Sequence, residues 1–549
     1  MSAEKLITDH IDIWTSAVQA KSASGRGSSK KRELYGIKKL RELILELAVR
    51  GKLVPQDPTD EPASVLLERI AAEKAQLVKD KKIKRQKNLP EISNEEIKFN
   101  LPNGWEFSHM GDFVSIVRGI TFPASAKQLE PSPNLVACLR TANVQHQIDW
   151  DDLIYVDNSY VKRADQILEI GDIVMSMANS RELVGKVSYT YNIPVKAEVT
   201  FGGFLSVIRP YKVDSGFLMI VLRSPSVREE LIGSSSQTTN IANISLEKLN
   251  PLAVAVPPIA EQHRIVAKVD ELMALCDQLE QQTEASLDAH QVLVETLLAT
   301  LTNSQNATEL MANWARISEH FDTLLTTEQS IDTLKQTILQ LAVMGKLVPF
   351  GSNTEKGGLK KFLSFGPRNG YSPKEVKSDT GVKVLKLGAT SYGSLDLNES
   401  KSVDVDIERD SHLWLNKGDI LIQRGNSANY VGCNCLVEED VSGVIYPDLM
   451  MKIRPSDITS SEFLSMWLSS PMAREFMWSR MTGTSGTMPK ISKKVVESIP
   501  IVMPSRQTQD SIVAKAQDLL SICEHLKQRI RDIQQTQLQL TDTIVEQAL

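Results

Sequence analysis

The clearest periodic pattern in the chain runs along its last 40 or so residues. Ile512, Ala516, Leu519, Cys523, Leu526, Ile530, Ile533, Gln537, Leu540 and Ile544 alternate steps of four and three. That spacing predicts a coiled-coil a/d seam on one long helix. A second seam opens equally well at Ile265, Val269, Leu272, Cys276 and Leu279. It turns polar through Gln281–Glu284 and resumes at Leu287, Val294, Leu298 and Leu301. Each seam needs a partner. The two are equivalent, so the economical solution pairs them with each other, antiparallel, about a pseudo-two-fold axis. About 40 residues at ~1.5 Å each make a rod of roughly 60 Å.

The long helices belong to a larger duplication, in which four blocks recur in the same order. Residues Ile44–Pro55 read ILELAVRGKLVP, and Ile338–Pro349 read ILQLAVMGKLVP. Each predicts a short helix closed by a glycine at positive φ, Gly51 or Gly345, with a proline four residues on. GDIVMSMANSRELVG (Gly171–Gly185) returns as GDILIQRGNSANYVG (Gly418–Gly432), a turn feeding an apolar strand. VIRP (Val207–Pro210) returns as KIRP (Lys452–Pro455). It leads into FLMIVLRSPSVRE (Phe217–Glu229) or FLSMWLSSPMARE (Phe463–Glu475), a helix, a Ser-Pro break and a second short helix. Finally Val256–Gln281 matches Met503–Gln528, a strand, a proline and a long helix. Pro257, Gln262, Ile265, Lys268, Leu272, Cys276 and Leu279 return as Pro504, Gln509, Ile512, Lys515, Leu519, Cys523 and Leu526. Between the blocks the halves diverge, and residues 101–166 and 351–413 share only pattern. A duplicated frame holding two unlike inserts suits a protein that reads two different things with one geometry.

Composition narrows the class. Apolar content of 42% and charged content of 24% over 549 residues suit a globular protein of two or more domains. The first 20 residues carry Asp9, His10 and Asp12 where a signal peptide needs an apolar core. The longest apolar run, near Leu252–Ile259, is broken by Pro257 and Pro258, so nothing is expected to span a membrane. Five scattered cysteines predict a reducing, cytoplasmic setting without a disulfide framework. Cys433 and Cys435, two apart in an expected strand, read as a buried pair of small side chains. The net charge is −6. Residues 101–257 hold 13 Lys and Arg against 16 Asp and Glu, and residues 351–504 hold 19 against 18. Any polyanion must therefore meet local positive charge or charge supplied by a partner.

Catalytic patterns are missing. No Asn/Asp-Pro-Pro-Tyr/Phe stretch occurs of the kind amino-methyltransferases use, since Pro257-Pro258 follows Val256. The Gly-Lys pairs beginning at 51, 185 and 345 continue with Leu, Val and Leu, so no phosphate loop is present. Glu375-Val376-Lys377 fits a nuclease ExK but lacks an upstream Pro-Asp partner. The eight histidines show no HxxxH spacing and the cysteines no CxxC pairs, which argues against zinc.

LPNGWEFSHMGDF (Leu101–Phe113), followed by the Gly-Asp-Ile block and the closing PPIAEQHRIVAKVDEL, resembles the target-recognition domain and following helix of the specificity (S) subunit of type I restriction-modification enzymes. The repeated LAVxGKLVP is similar to the short helix that precedes such domains. Glu61–Lys87 resembles a helical arm found in one branch of the family. The resemblance covers nearly everything after about residue 33. The second half departs from it: Pro349 runs almost directly into the second domain without an arm, and a clear LPxGW entry is lacking. The resemblance implies a non-catalytic subunit that binds double-stranded DNA and two methyltransferase (M) subunits. The M subunits carry S-adenosylmethionine and methylate adenine at N6. Added restriction (R) subunits use ATP and Mg²⁺ to translocate and cut DNA.

Direct readout needs Arg, Lys, Asn, Gln, Ser or Thr at base edges, and phosphate contacts use the same groups plus backbone N–H. Two loops fit, GSSSQTTNIANIS (Gly233–Ser245) and TGTSGTMPKIS (Thr482–Ser492), rich in small hydrogen-bonding residues and poor in acids. They offer Gln237, Asn240 and Asn243 in one half, and Thr484, Ser485 and Lys490 in the other. The repeated Asn-Ser adds Asn179, Ser180 and Arg181, and Arg424, Asn426 and Ser427, although an ordinary turn also explains Asn-Ser. Arg118, Lys127, Arg140 and Arg368 lie in the divergent regions, where solvated or paired charges are the plain alternative. The basic run Lys79–Lys87 could touch phosphate or an acidic partner, or form a solvated helix face.

The expected fold is α+β: two tandem α/β target-recognition domains separated by an antiparallel two-helix coiled coil. The expected organisation is an N-terminal helical region with a basic arm (1–100), the first recognition domain (101–257), a central helical spacer (258–350), the second recognition domain (351–504) and a C-terminal coiled-coil helix (505–549). The expected function is recognition of a bipartite, asymmetric DNA site whose halves lie one to two helical turns apart, one turn being about 34–36 Å. A single-chain DNA methyltransferase and a coiled-coil scaffold that ignores DNA are the alternatives.

Overall fold

The computed structural model describes residues 3–21, 31–80, 89–93, 97, 99–180, 183–233, 236–238, 241–391, 393–483 and 488–549. It divides into two compact units. One comprises residues 1–19, 33–283 and 537–549, and the other residues 20–32 and 284–536.

In the first unit a short helix, Tyr35–Val49, buries Ile37, Leu40, Leu43, Ile44 and Leu47 along one face. It ends in a Schellman turn. Lys52 N–H donates to Leu47 O at 2.9 Å and Gly51 N–H to Ala48 O at 3.3 Å. Gly51 has φ +67°, a conformation that a Cβ would penalise. The second unit repeats this at the end of helix Glu328–Val343, where Gly345 also has φ +67°. Lys346 N–H donates to Leu341 O at 3.0 Å and Gly345 N–H to Ala342 O at 3.2 Å.

Each unit carries a four-stranded antiparallel sheet of one topology. In the first its order is Val114–Arg118, Leu205–Pro210, Ile173–Ser176, Val187–Tyr189. In the second it is Leu363–Asn369, Met450–Pro455, Ile420–Gln423, Asn434–Leu436. The first strand of the second sheet is irregular, with register shifts between Leu363 and Arg368. A three-stranded sheet containing one parallel pair adjoins each: Val199–Phe201, Leu135–Leu139 and Ile154–Asp157, or Ser400–Ser402, Lys383–Leu385 and Val444–Ile445. Helices Ser215–Arg223 and Pro225–Gly233, or Ser461–Ser469 and Pro471–Trp478, follow as the Ser-Pro break predicted.

The repeated motifs close these frames with paired polar groups. Asp172, buried, receives Arg209 Nε and a second guanidinium N–H, both at 2.7 Å. Asp419, buried, receives Arg454 Nε at 2.8 Å. Lys452 also approaches Asp419, at 3.1 Å. Bonding to Asp172 raises the Arg209 pKa above its ordinary value. Burial pulls that of Lys452 down, against the opposing pull of Asp419. The repeated Gly-Asp and Ile-Arg-Pro motifs are therefore two ends of one ion pair.

A two-stranded pair, Ala253–Val256 with Glu106–His109 or Pro500–Met503 with Glu355–Gly358, leads into the long helices Ile259–Asn303 and Arg506–Ala548. A buried glutamine fixes each helix start. Gln262 accepts from Asp214 N–H at 2.8 Å and donates to Pro257 O at 2.9 Å. Gln509 accepts from Ser460 N–H at 2.7 Å and donates to Pro504 O at 2.9 Å.

Each unit has its own helical cluster. In the first, Arg41 on the short helix meets Asp277 and Glu280 on the long helix at 2.5 and 2.6 Å. Tyr35 Oη donates to Asp542 at 2.7 Å, and Lys52 Nζ reaches Leu549 O at 2.6 Å. In the second, Lys335 pairs with Glu524, and Lys527 with Asp332 at 2.7 Å. There Val294, Leu298 and Leu301 share one core with Ile331, Leu334 and Ile338, and with Ile512, Ala516, Cys523 and Ile530. Arg41 and Lys335 stand in equivalent places (335 − 41 = 294), as do Asp277 and Glu524 (524 − 277 = 247).

Two expectations need correction. Ile533 and Leu540, assigned to the seam, are 55% and 45% exposed. Beyond Ile530 the buried or half-buried positions are Gln534, Gln537, Leu538, Thr541, Asp542, Ile544, Val545, Ala548 and Leu549. Gln537 and Ile544 keep their seam places, while Gln534 and Thr541, one residue on, take those of Ile533 and Leu540. Cys433 and Cys435 do not form a buried pair. Cys435 is buried in strand Asn434–Leu436, but Cys433 precedes the strand and is half-buried. All five cysteines are free thiols. No helix among the described residues is long and apolar enough to cross a membrane.

Candidate nucleic-acid interface

Three segments meet at one backbone position in each unit. In the first that position is Met177, immediately after strand Ile173–Ser176. Its N–H donates to Phe204 O at 2.9 Å, and its O accepts from Ile244 N–H at 2.8 Å. In the second it is Arg424, whose N–H donates to Leu449 O and whose O accepts from Ile491 N–H, both at 2.8 Å. The same clasp thus joins the strand end that enters the Asn-Ser turn, the residue preceding strand Leu205–Pro210 or Met450–Pro455, and the small-polar loop in both units.

The neighbouring ladder repeats too. Ala178 pairs with Asn243 and Asn179 with Ala242. Gly425 bridges to Lys490, and Lys490 to Thr482. Asn243 and Lys490 are therefore equivalent positions (490 − 243 = 247) carrying different side chains. The structure brings together Asn179, Ser180 and Asn243 in the first unit, and Arg424, Asn426, Ser427 and Lys490 in the second.

The two Asn-Ser turns differ in how they are held. Asn179 Oδ1 accepts from Ser180 N–H at 2.8 Å. Asn426 Oδ1 accepts from Ser427 N–H at 2.7 Å, and its amide also donates to Gln423 Oε1 at 2.7 Å. Gln423 is buried, and its amide lies within hydrogen-bond reach of Leu387 O, Thr390 Oγ1 and Ser391 Oγ. Its counterpart Ser176 (423 − 176 = 247) is also buried, and its Oγ has no partner among the described residues.

Arg118, exposed, ends the outer strand and pairs across the sheet with Ser206, one residue beyond the end of the Phe201–Leu205 turn. Arg368, exposed, pairs with Lys452 and stacks on Phe365, its guanidinium 5.7 Å from the ring centre. Lys127 is exposed at the end of a short 3-10 turn. Arg140 is bound to Asp152 at 2.6 Å, the paired charge that was its plain alternative. Gln237 pairs with Ala242 through its backbone. Arg181, Asn240, Thr484, Ser485 and residues 81–87 of the basic run lie outside the described residues. The helix preceding that run, Ala63–Lys79, belongs to the first unit, with Lys74 Nζ donating to Gly111 O at 2.6 Å.

Sequence reasoning missed Phe204, Leu449 and Gln423. Gln423 lies inside the repeated Gly-Asp block, where the first copy has Ser176; Leu449 stands in the divergent flank of an aligned motif, and Phe204 follows a Gly-Gly pair that could have marked a close backbone approach.

Among the described residues no group of three or more His, Cys, Asp or Glu is placed to hold a metal. The arrangement presents amides, hydroxyls and cations on a fixed backbone, which suits recognition of hydrogen-bonding edges.

A family model described as the type I restriction modification DNA specificity domain matches residues 102–289 and again residues 355–535. The chain belongs to that family. It takes its place among the specificity subunits of type I restriction-modification systems. It is 38% identical to the type I restriction enzyme EcoEI specificity subunit of Escherichia coli, each chain covered in full. The EcoAI specificity subunit of Escherichia coli shows the same identity and coverage. The EcoKI specificity subunit of Escherichia coli strain K12 is 26% identical, over 82% of this chain and 89% of that one.

Proposed function

We propose that this chain reads a bipartite, asymmetric site on double-stranded DNA, one half-site per recognition domain, and performs no chemistry itself. Residues 101–257 and 351–504 are the readers. Residues 258–350 and 505–549 supply the helices that set the gap, and residues 1–100 a helical region with its arm. The helices bind two M subunits, which bring S-adenosylmethionine and methylate adenine. R subunits, with ATP and Mg²⁺, add restriction. The complex works in the cytoplasm.

One observation supports this reading above the others: the same backbone clasp, at Met177 and at Arg424, keeps its Asn-Ser turn but changes its other neighbours. Asn243 in the first ladder is replaced by Lys490 in the second. Phe204 is replaced by Leu449, and Met177 itself by Arg424. A shared frame with different hydrogen-bonding groups is what two unlike half-sites require.

The test replaces residues 101–257 with the corresponding domain of a relative and maps methylated sites across a genome. The expected result is a new first half-site with the second half-site and the gap retained. A change in both halves, or in neither, would overturn the proposal.

A further inference from the structure

Phe204 sits at the first clasp and is 70% exposed. Its backbone has little freedom to hide the ring. Its carbonyl accepts from Met177 N–H at 2.9 Å, and the next residue, Leu205, donates to Gly202 O at 2.8 Å. Gly202 bridges to Ile120 and donates to Leu139 O at 2.9 Å. The backbones here touch: a Cβ on Gly119 would lie 2.2 Å from Gly202 O and 2.4 Å from Phe201 O. A large apolar ring is thus held in water by a tightly packed stem. The equivalent Leu449 is half-buried and packs beside Gly425.

The strands that meet at this clasp carry polar residues: Asn179 and Asn243 in the ladder beyond Met177, and Arg118 on the outer strand. Those groups suit the donors and acceptors of a base pair. A phenyl ring can satisfy none of them. The apolar group that base pairs display in the major groove is the thymine 5-methyl.

We infer that Phe204 contacts the 5-methyl group of one thymine in the first half-site, adding an apolar contact to a hydrogen-bonding reader. The inference rests on the proposed DNA-reading role, and its test separates the two. The full chain, assembled with its M subunits, is titrated with duplexes in which each thymine of the mapped site is replaced in turn by deoxyuridine, which lacks only that methyl. At one first-half position deoxyuridine weakens binding about fourfold, the ratio expected for one methyl returned to water. Phe204→Ala weakens binding to the unmodified duplex and removes the deoxyuridine penalty at that position, while Phe204→Leu keeps part of it. Second-half positions respond identically in all three proteins.

The inference is overturned if no first-half thymine shows the penalty, or if Phe204→Ala leaves it intact. If it fails while domain exchange still moves the first half-site, the DNA-reading proposal stands. If domain exchange moves neither half, that proposal itself falls.

Discussion

Residues 176 and 423 occupy one buried place, the last position of the central strand, and fill it differently. Gln423 ties the strand to Leu387, Thr390 and Ser391 and holds the Asn426 amide. Gln423→Met leaves those buried groups unpaired, at about 1–3 kcal/mol. Denaturant unfolding should show that loss, and gel-shift titration should show weaker binding confined to the second half-site. Ser176→Ala removes a buried hydroxyl that has no partner among the described residues, so stability should hold or rise by up to about 1 kcal/mol. Asp419→Ala leaves the buried Lys452 ammonium without its carboxylate and should cost about 3–5 kcal/mol, whereas Asp172→Ala should cost less because Arg209 is partly exposed and keeps Glu169 at 3.1 Å, both read by the same unfolding experiment. At this scale the repeated motifs showed which residues matter for the frame but not why. Gly-Asp and Ile-Arg-Pro stand about 35 residues apart in each half, and only folding reveals them as one ion pair. The candidate site was partly legible: the Asn-Ser turns and the small-polar loops lie side by side, whereas Arg140 is paired with Asp152.

Among the elements, short helices, their glycine stops and the long helices follow from pattern because each is fixed by local chemistry. The seam is a subtler matter. The four-three alternation of apolar residues continues past Ile530, but one side of the covered face moves on by one residue there, to Gln534 and Thr541, and leaves Ile533 and Leu540 in solvent. Ile533→Lys should therefore change stability by less than about 0.5 kcal/mol, as exposed substitutions do. Ile530→Lys, at a buried position, should cost several times more. Thermal unfolding of the two variants side by side checks the assignment, and equal losses would restore the heptad register. The loop strands around the clasps stayed illegible because their pairing depends on contacts hundreds of atoms away in sequence, with little period to announce them.

For the whole molecule, the gap between half-sites is the quantity that the long helices should control. Deleting one heptad from a long helix shortens it by about 10 Å at 1.5 Å per residue, close to three base-pair steps at about 3.4 Å. Methylome mapping should show either a gap shorter by about that amount or loss of assembly, with both half-site sequences kept. An unchanged gap with full activity would rule out a ruler made of these helices. The makeup of the first unit carries a further consequence, for synthesis. Its helical cluster includes residues 537–549, where Asp542 and Leu549 bind Tyr35 and Lys52. Those partners leave the ribosome only after some 260 further residues have followed Thr283. At roughly 5–20 residues per second that interval is on the order of 13–50 s. Through all of it the nascent N-terminal half waits unfinished, and a premature stop near codon 537 would damage the part of the protein that was translated first.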